Sequence, residues 1–421
     1  MKFKQNTIAK TDNLIKGCKF GPMGFTHRQL FQKYVAPTSD APLALEIVHA
    51  EHIYLTDCFG KSYIDLISGI AVSNVGHRNP SIVQAIKDQV DKYMHLMVYG
   101  EYIQSPQVLL AEALVKSTGS THLNQVYFTN SGTEAVEGAM KLAKRYTGRT
   151  EFISCFNAYH GATQGALSLA GDENFKNSFR PLIPDIKHIH HGELADLNQI
   201  TFKTAAIVIE IVGGEAGVRP ASKTYFKALR EKCNETGCLL IIDEIQTGFG
   251  RTGTFWAFQQ MGIEPDILLT AKGMGGGMPI GAFMANDTVM STLSYEPVLG
   301  HITTFGGHPV SCAASLATLN FIQENKLLKD VRIKSDLFKE LLVHPIIREV
   351  RGVGLMIAVE MKDFTTVKAV IDTCIENGLI TDWFLFCDNA LRIAPPLVIT
   401  NEEIKMACNI LLQAMDKVYK S

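Results

Sequence analysis

A single lysine, Lys272, stands between an apolar segment and a glycine-rich one. Residues 267–269 are apolar, and four of the five residues after Lys272 are glycines. An amine at the end of a buried strand is poorly solvated, which lowers its pKa and makes it a better nucleophile. A surface lysine at a turn is the commoner interpretation for lysines at large, but ordinary turns seldom need so many glycines. The segment lacks the GxxxxGK[ST] pattern of a phosphate-binding loop.

Two adjacent carboxylates, Asp243 and Glu244, follow the apolar residues 239–242. In open α/β sheets, ligands bind at the carboxyl ends of the strands, so a carboxylate there can take part in chemistry. Taken alone, this pattern is more typical of an aspartate that caps the next turn.

Small residues mark a third junction, where a strand ending near Phe128 turns into a helix. Ser131 or Thr133 can cap that helix, Gly132 lies between them, and Glu134 lies in its first turn. The free N–H groups at a helix N-terminus can bind phosphate. A single Ser-Gly-Thr is more often an ordinary cap with nothing bound.

Each of these junctions needs a strand to position it, and the surrounding pattern supplies several. Apolar segments predict strands at residues 126–128, 152–154, 206–209, 239–242, 267–269 and 282–284. Amphipathic stretches, such as 134–145 and 223–236, lie between several of them. This alternation predicts an α/β domain with a mostly parallel sheet.

The two ends of the chain have a different organisation. Residues 47–56 and 61–67 predict a hairpin with its turn at 57–60. In the last hundred residues, we predict helices at 309–324, 333–342, 366–376 and 401–419, and strands at 355–360 and 391–394. We therefore predict an N-terminal segment (1–65) packing near a small domain, a large domain (66–310) and a small C-terminal α+β domain (311–421).

Composition excludes several classes of protein. The 421 residues carry a net charge of −2, which gives no basic excess for binding nucleic acid. No apolar run is long enough for a transmembrane helix, and residues 1–17 lack the apolar stretch of a secretory signal. The nine cysteines are scattered without a CxxC pair, so reduced thiols in a cytoplasmic protein are expected.

Three histidines, His188, His190 and His191, could suggest a metal site. No cysteine pair lies nearby, and Glu193 is the only close acid. A polar segment running from a strand into a loop is the better interpretation, and we predict no metal.

In this order and spacing, the three junctions resemble the class III aminotransferases. These are fold type I pyridoxal-phosphate enzymes that include ornithine, acetylornithine and 4-aminobutyrate aminotransferases. The resemblance extends from about Ala44 to the C-terminus. It implies a large domain with a mostly parallel seven-stranded sheet, a smaller α+β C-terminal domain, and pyridoxal 5'-phosphate as the cofactor.

The resemblance also implies roles for the residues at the junctions. Lys272 would hold the cofactor as a Schiff base and then move the substrate proton. Asp243 would pair with the pyridine nitrogen, so that the ring stays an electron sink. Ile245 would pack on one face of the ring, and Tyr159, followed by His160, on the other.

The remaining cofactor contacts follow from the same resemblance. Gln246 would lie near the ring hydroxyl, and Ser131, Gly132 and Thr133 would bind the phosphate. In the family, a threonine from the neighbouring subunit completes the phosphate site, and Thr304 matches it. This implies a homodimer with active sites at the interface.

Substrate binding is expected of three further residues. Arg392 matches the arginine that binds the α-carboxylate, a task that suits its bidentate fork. Glu215 matches the glutamate that pairs with this arginine and releases it for the second half-reaction, although a structural ion pair is the alternative. Tyr102 is a candidate across the dimer interface, and a packing role for it is equally compatible with the sequence.

The sequence departs from the family pattern at three positions. Ala162 stands where many members have an arginine after the aromatic-His-Gly motif, which weakens any assignment to a donor whose distal carboxylate needs it. His308 replaces an asparagine of the phosphate loop, and Ile211 replaces a proline.

The resulting hypothesis is a ping-pong transaminase. Ornithine, N-acetylornithine or another ω-amino acid would donate to 2-oxoglutarate. A 4-aminobutyrate-type or other ω-amine transaminase is an alternative, as is a racemase, aminomutase, decarboxylase or lyase on the same fold. A binding protein without catalysis is a third hypothesis, against which the intact Lys272 and Asp243 argue.

Overall fold

The computed structural model describes residues 26–420. The predictions made for residues 1–17, and part of the predicted N-terminal segment, therefore lie outside the described residues. The strands are β1 (Ile47–Glu51), β2 (Tyr54–Asp57), β3 (Ser62–Asp65), β4 (Gln125–Thr129), β5 (Glu151–Cys155), β6 (Ile186–Ile189), β7 (Thr204–Glu210), β8 (Val212–Gly213), β9 (Arg219–Pro220), β10 (Leu239–Asp243), β11 (Ile267–Thr270), β12 (Gly281–Ala285), β13 (Glu349–Val353), β14 (Met356–Glu360), β15 (Leu379–Ile380), β16 (Asp382–Phe384) and β17 (Cys387–Ile393). The α-helices are α1 (His27–Tyr34), α2 (Pro80–Val90), α3 (Ser105–Thr118), α4 (Gly132–Thr147), α5 (Gln164–Leu169), α6 (Glu173–Lys176), α7 (Lys223–Thr236), α8 (Asp287–Met290), α9 (Pro309–Glu324), α10 (Leu328–Leu341), α11 (Phe364–Glu376) and α12 (Asn401–Lys420).

A seven-stranded sheet forms the centre of the fold, in the order β4-β12-β11-β10-β7-β5-β6. Strand β12 runs antiparallel to both of its neighbours, and the other pairings are parallel. This confirms the predicted α/β class and the mostly parallel seven-stranded sheet. Six strands match the predicted apolar segments, extended by one to three residues. The seventh, β6, lies at the edge of the sheet within the polar segment that contains His188.

Helices cover both faces of this sheet. Along β7, Ile207 and Ile209 belong to one buried cluster, which also contains Tyr225 of α7. Ala206 and Val208 belong to a second buried cluster, which contains residues of α4. Because alternate side chains point to opposite faces, a strand buried on both faces must be apolar throughout. The same sequence pattern leaves the polar residues at the strand ends, where the candidate site lies.

The N-terminal strands differ from the predicted hairpin. Residues 47–56 do not form one strand, because the chain reverses between β1 and β2. At this reversal His52 takes a left-handed φ of 56° and pairs through its backbone with His77. Strands β1, β2 and β3 then join β15 from the C-terminal part of the chain in a four-stranded sheet.

The C-terminal region contains a further four-stranded sheet, in the order β13-β14-β17-β16. Helices α10, α11 and α12 share a buried cluster with it. The predicted helix at 333–342 begins earlier, at Leu328, and the predicted strand at 391–394 begins at Cys387. Strand β16 was not predicted. Among residues 26–420, no helix combines the length and the apolar character needed to cross a membrane.

Candidate active site

A cavity of about 530 Å³ lies at the carboxyl ends of β4, β10 and β11. Its lining includes most of the residues singled out from the sequence: Ser131, Gly132, Thr133, Tyr159, His160, Glu215, Asp243, Ile245, Gln246 and Lys272. These residues come from segments far apart in the chain, and the parallel strands bring them to one edge of the sheet.

Lys272 follows β11 and takes a left-handed φ of 45°, which is uncommon for a residue with a side chain. Burial lowers the pKa of its amine, and the charge of Glu215 only partly opposes this effect. Within the described part of the chain, no hydrogen bond or ion pair engages the amine, which faces the cavity. A lowered pKa and an amine without a bonded partner both favour its action as a nucleophile or a proton acceptor.

Asp243 ends β10 and is almost completely buried. One of its oxygens lies 2.7 Å from Nδ1 of His160, and the other accepts a hydrogen bond of 2.9 Å from the backbone N–H of Ile245. Burial opposes a charge on His160, but the hydrogen bond and the charge of Asp243 outweigh it and raise the pKa of His160. His160 and the N–H of Ile245 therefore fix the position of the Asp243 carboxylate.

Glu210, at the end of the neighbouring strand β7, also lines this cavity. Burial raises the pKa of Glu210 to about 8, and the nearby charge of Asp243 adds to this effect. At neutral pH, the Glu210 carboxyl is therefore protonated.

The N-terminus of α4 forms another wall of the cavity. Ser131 caps the helix by accepting a hydrogen bond of 3.3 Å from the N–H of Glu134. A Cβ atom added at Gly132 would lie 2.8 Å from the end of the Ile245 side chain, so a larger residue there would require Ile245 to shift. The hydroxyl of Thr133 lies 2.7 Å from that of Thr163. The helix thus opens on the cavity through small residues and first-turn N–H groups, which suits an anion.

The residues present fit the pyridoxal phosphate implied by the sequence. Lys272 offers an amine for the aldehyde, Asp243 a carboxylate for the ring nitrogen, and the N-terminus of α4 N–H groups for the phosphate. Ile245 and Tyr159 offer apolar surface for a ring. The Nε2 atom of His160 is buried and has no hydrogen-bond partner among the described residues.

A second cavity, of about 500 Å³, shares Tyr159, Glu215 and Lys272 with the first. Arg392 lines it and forms a bidentate pair with Glu215, with N–O distances of 2.9 and 2.8 Å. Both side chains are about 95% buried. Burial works against the charge of Glu215, but Arg392 outweighs it and lowers the pKa of Glu215. Gln246 donates a hydrogen bond of 3.2 Å to Glu215, so its amide contacts this pair.

The structure adds residues that the sequence did not indicate. Gly69 and Ile70 line the second cavity, together with Asp382, Trp383 and Leu385. Gly69 and Ile70 belong to a turn, residues 68–71, in which all four residues have a left-handed φ between 54° and 64°. Only one of the four is glycine, so the local sequence carries no clear sign of this conformation.

Two predicted residues lie away from both cavities. Tyr102 is 54% exposed, and Thr304 is also exposed. Their predicted roles concern the active site of a neighbouring subunit. Thr303, which precedes Thr304, accepts a hydrogen bond of 3.1 Å from the side-chain amide of Asn130. Ala162 lines the first cavity and leaves its part of the wall without a cation.

The histidine-rich segment has separate partners for each ring. His188 bonds the carbonyl of Leu169, His190 pairs with Asp196, and His191 bonds the carbonyl of Glu210. In residues 26–420, no group of three or more His, Cys, Asp or Glu side chains is arranged to hold a metal ion.

Comparisons with known proteins give the family of the chain. Residues 34–415 match the family model described as aminotransferase class-III. The acetylornithine aminotransferase of Methanopyrus kandleri is 40% identical over 394 residues, which cover 92% of this chain and 98% of that protein. The enzyme of the same name from Methanosarcina mazei is 42% identical over 388 residues, which cover 91% and 94% of the two chains. Among solved structures, the ornithine aminotransferase of Toxoplasma gondii has a TM-score of 0.87 at 28% identity and covers 99% of both chains.

Proposed function

The chain belongs to the class III aminotransferases and is a pyridoxal-phosphate-dependent transaminase, and we propose that it transfers the terminal amino group of N-acetylornithine or ornithine to 2-oxoglutarate. The motifs had predicted this family, and the match over residues 34–415 confirms it. The observation that supports the proposed substrates is the Glu215–Arg392 pair. It lies in the second cavity, which Lys272 also lines and which is called the cleft from here on.

This pair suits two substrates that bind in turn. A terminal amine has no carboxylate on the reacting carbon, so Arg392 can remain paired with Glu215 while the donor reacts. A 2-oxo acid carries a carboxylate next to its reacting carbon and needs a free guanidinium fork. Removing Glu215 from the fork supplies one, because the pair is bidentate and a carboxylate of the substrate can take the same two N–H groups.

The other side chains of the site have complementary tasks. When bound, pyridoxal phosphate supplies the electron sink that stabilises negative charge on the substrate carbon. Asp243, held by His160, would keep the ring nitrogen protonated, and the N-terminus of α4 with Thr133 would hold the phosphate. The Nζ atom of Lys272, whose pKa is lowered by burial, would take a proton from the substrate carbon and return it to the carbon on the other side of the transferred nitrogen.

A panel of amino donors tests this function. The purified holoenzyme is given 2-oxoglutarate with N-acetylornithine, ornithine, 4-aminobutyrate or an α-amino acid, and glutamate is measured. We expect the highest kcat/KM with N-acetylornithine or ornithine, and no turnover in Lys272→Ala. If no donor produces glutamate, the proposed function is wrong.

A second candidate, an ω-amine transaminase with a different donor, is favoured by Ala162. The wall at Ala162 has no cation for the distal carboxylate of a donor. If a carboxylate-free diamine is added to the panel, a kcat/KM for it above those of ornithine and N-acetylornithine would support this candidate over the first.

We also propose that the enzyme is a homodimer in which Thr304 completes the phosphate site of the partner. Two neighbouring segments, residues 94–109 and 298–305, expose apolar side chains, with Ile103 96% and Val298 70% accessible. Tyr102 and Thr304 lie within these segments, so the same face would carry both residues into the other active site. Sedimentation should give a dimer, and Thr304→Val should weaken cofactor binding while leaving the dimer intact. A monomeric holoenzyme would contradict the proposal.

The cytoplasm is our proposed location. The nine cysteines are scattered along the sequence without a CxxC pair, which suits a reducing compartment. Fractionation of the source cells with an activity assay would test it.

A further inference from the structure

Strand β16 consists of three residues, and all three contact the guanidinium group of Arg392 on the paired strand β17. Oδ1 of Asp382 lies 3.0 Å from Nε of Arg392. The carbonyl of Trp383 accepts a hydrogen bond of 3.2 Å from NH2. The ring of Phe384 stacks on the guanidinium, with 4.6 Å from its centroid to Cζ. Asp382 and Nε form an ion pair at this distance without an aligned hydrogen bond, since neither buried atom has a hydrogen-bond partner among the described residues. Trp383 takes one hydrogen of NH2 and Phe384 covers a face of the group, so the NH1–NH2 fork is left to Glu215.

The contacts of Arg392 with Glu215 and its contacts with β16 therefore behave differently when the donor is replaced by the 2-oxo acid. If a substrate carboxylate takes the place of Glu215, the fork changes partners, but the contacts from β16 remain. Among the three residues of β16, only Asp382 is charged, so it provides the strongest restraint on the guanidinium. Without a second partner, a buried guanidinium could follow Glu215 or turn its fork away from the cleft.

We propose that Asp382 is a positioning residue, which holds Arg392 by Nε so that its NH1–NH2 fork stays directed into the cleft for the carboxylate of the 2-oxo acid. This inference rests on the proposed function, because it assigns to Asp382 a part in binding the acceptor. Arg392 therefore has two acidic partners with different tasks, Glu215 at the fork and Asp382 at Nε.

The electrostatic surroundings of Asp382 add a pH dependence. Burial raises the pKa of Asp382 to about 6, Arg392 works against this effect, and the charges of Glu215 and Asp65 support it. Asp382 is thus ionised at neutral pH and loses its charge as the pH falls through about 6. The restraint on Nε should weaken over the same interval.

The loop of the β16–β17 hairpin has an anchor of its own. The N–H of Leu385 donates a hydrogen bond of 3.2 Å to the side chain of Glu215, and the N–H of Phe386 donates one of 3.1 Å to its backbone carbonyl. A substitution at Asp382 that keeps its shape should therefore leave the hairpin in place. Asp382→Asn meets this condition, and Asp388→Asn, at an exposed position in the same hairpin, is the matched control.

Two measurements on the holoenzymes test the proposal. The first is the dissociation constant of glutarate, a dicarboxylate that cannot react, measured by titration calorimetry. The second is the KM and kcat for 2-oxoglutarate. In Asp382→Asn, we expect both the dissociation constant and KM to rise about tenfold, with a smaller change in kcat, because one charge-assisted contact is lost. Asp388→Asn should match the wild type. In the wild type, glutarate should bind more weakly below about pH 6, and in Asp382→Asn this dependence should be smaller, with only the protonation of glutarate itself left in common.

Three outcomes would overturn the proposal. In the first, Asp382→Asn binds glutarate within twofold of the wild type. In the second, the half-reaction of Asp382→Asn with 1,4-diaminobutane, which has no carboxylate, shows the same tenfold rise in KM as the reaction with 2-oxoglutarate. Asp382 would then have a general structural role. In the third, the wild type does not bind glutarate at all. A wild type that binds glutarate but forms no glutamate from any donor would refute the proposed function alone, and the comparison of glutarate binding would still decide the role of Asp382.

Discussion

Replacing Glu215 by glutamine should reverse the preference of the cleft between its two kinds of substrate. Glutamine has almost the same shape as glutamate but carries no charge, so the positive charge of Arg392 is no longer neutralised by this side chain. One N–H···O contact to the amide oxygen of the introduced side chain can remain. The other carboxylate oxygen, at 2.8 Å, is replaced by an NH2 group that cannot accept a hydrogen bond from Arg392. The guanidinium fork is then partly free before any substrate arrives.

The size of the effect follows from the contact that is lost. A hydrogen bond between charged partners contributes about 1.5–3 kcal/mol, which corresponds to a factor of roughly 10 to 150 in an equilibrium constant. This interaction opposes the acceptor, because the acceptor must displace it. The dissociation constant of glutarate should therefore fall by at least about tenfold in Glu215→Gln. The kcat/KM for the terminal-amine donor should fall, since an unmasked Arg392 attracts the carboxylate end of the donor into a nonproductive position.

Titration calorimetry with glutarate and single-turnover kinetics with each substrate measure the two effects separately. Glu193→Gln, at an exposed position on the surface, is the matched control and should behave as the wild type. Two results would contradict this prediction. Glu215→Gln could bind glutarate no more tightly than the wild type, or both half-reactions could slow by the same factor. In either case, the pair would be structural.

Three further predictions concern the cofactor site and the buried side chain of Arg251. Lys272→Ala should abolish turnover, and the cofactor absorption of this variant should no longer respond to borohydride as that of the wild type does. Gly132→Ala should weaken cofactor binding about tenfold in a fluorescence titration, because its Cβ would lie 2.8 Å from Ile245 and must displace the ring-facing side chain. Arg251→Met should lower the melting temperature by several degrees, since the buried Arg251 donates hydrogen bonds to the carbonyl of Leu355 and to other acceptors that would remain unsatisfied, at about 1–3 kcal/mol each.

Each of these predictions has a control and a result that contradicts it. Lys141→Ala, at a lysine outside both cavities, is the control for Lys272→Ala, and retained turnover in Lys272→Ala would remove Lys272 from the mechanism. Gly148→Ala changes an exposed glycine at the other end of the same helix, and equal cofactor affinities in the two glycine variants would disprove the steric argument for Gly132. A melting temperature of Arg251→Met equal to that of the wild type would show that the contacts of Arg251 are not needed for stability.

The buried parts of this molecule were the easiest to predict from its sequence. Strand β10 lies between two layers of helices, so every residue up to Asp243 had to be apolar, and the pattern is visible without any tertiary information. Strand β6 has the opposite situation. At the edge of the sheet it exposes Lys187, and its alternating pattern is difficult to distinguish from a polar loop.

Contacts between distant segments could not be read from local patterns. The pair Glu215–Arg392 joins residues 177 positions apart, and only a family resemblance brought them together in advance. Asp382 escaped notice because β16 is only three residues long and acquires its role from its alignment with β17. Short strands of this kind depend on their partner for stability, so their own sequence carries little information.

The left-handed turn at residues 68–71 has a consequence for efforts to make this enzyme more heat-resistant. Three of its four residues have side chains, and a left-handed conformation costs each of them roughly 1–2 kcal/mol. A stabilisation programme guided by backbone strain would choose glycine at Ile70, where the φ of 64° is least favourable for a β-branched residue. That change would relieve the strain, but it would also remove a side chain from the substrate cavity and let the wall move. Under the proposed function, we therefore expect tolerance to heat and selectivity for the amine to compete at this position.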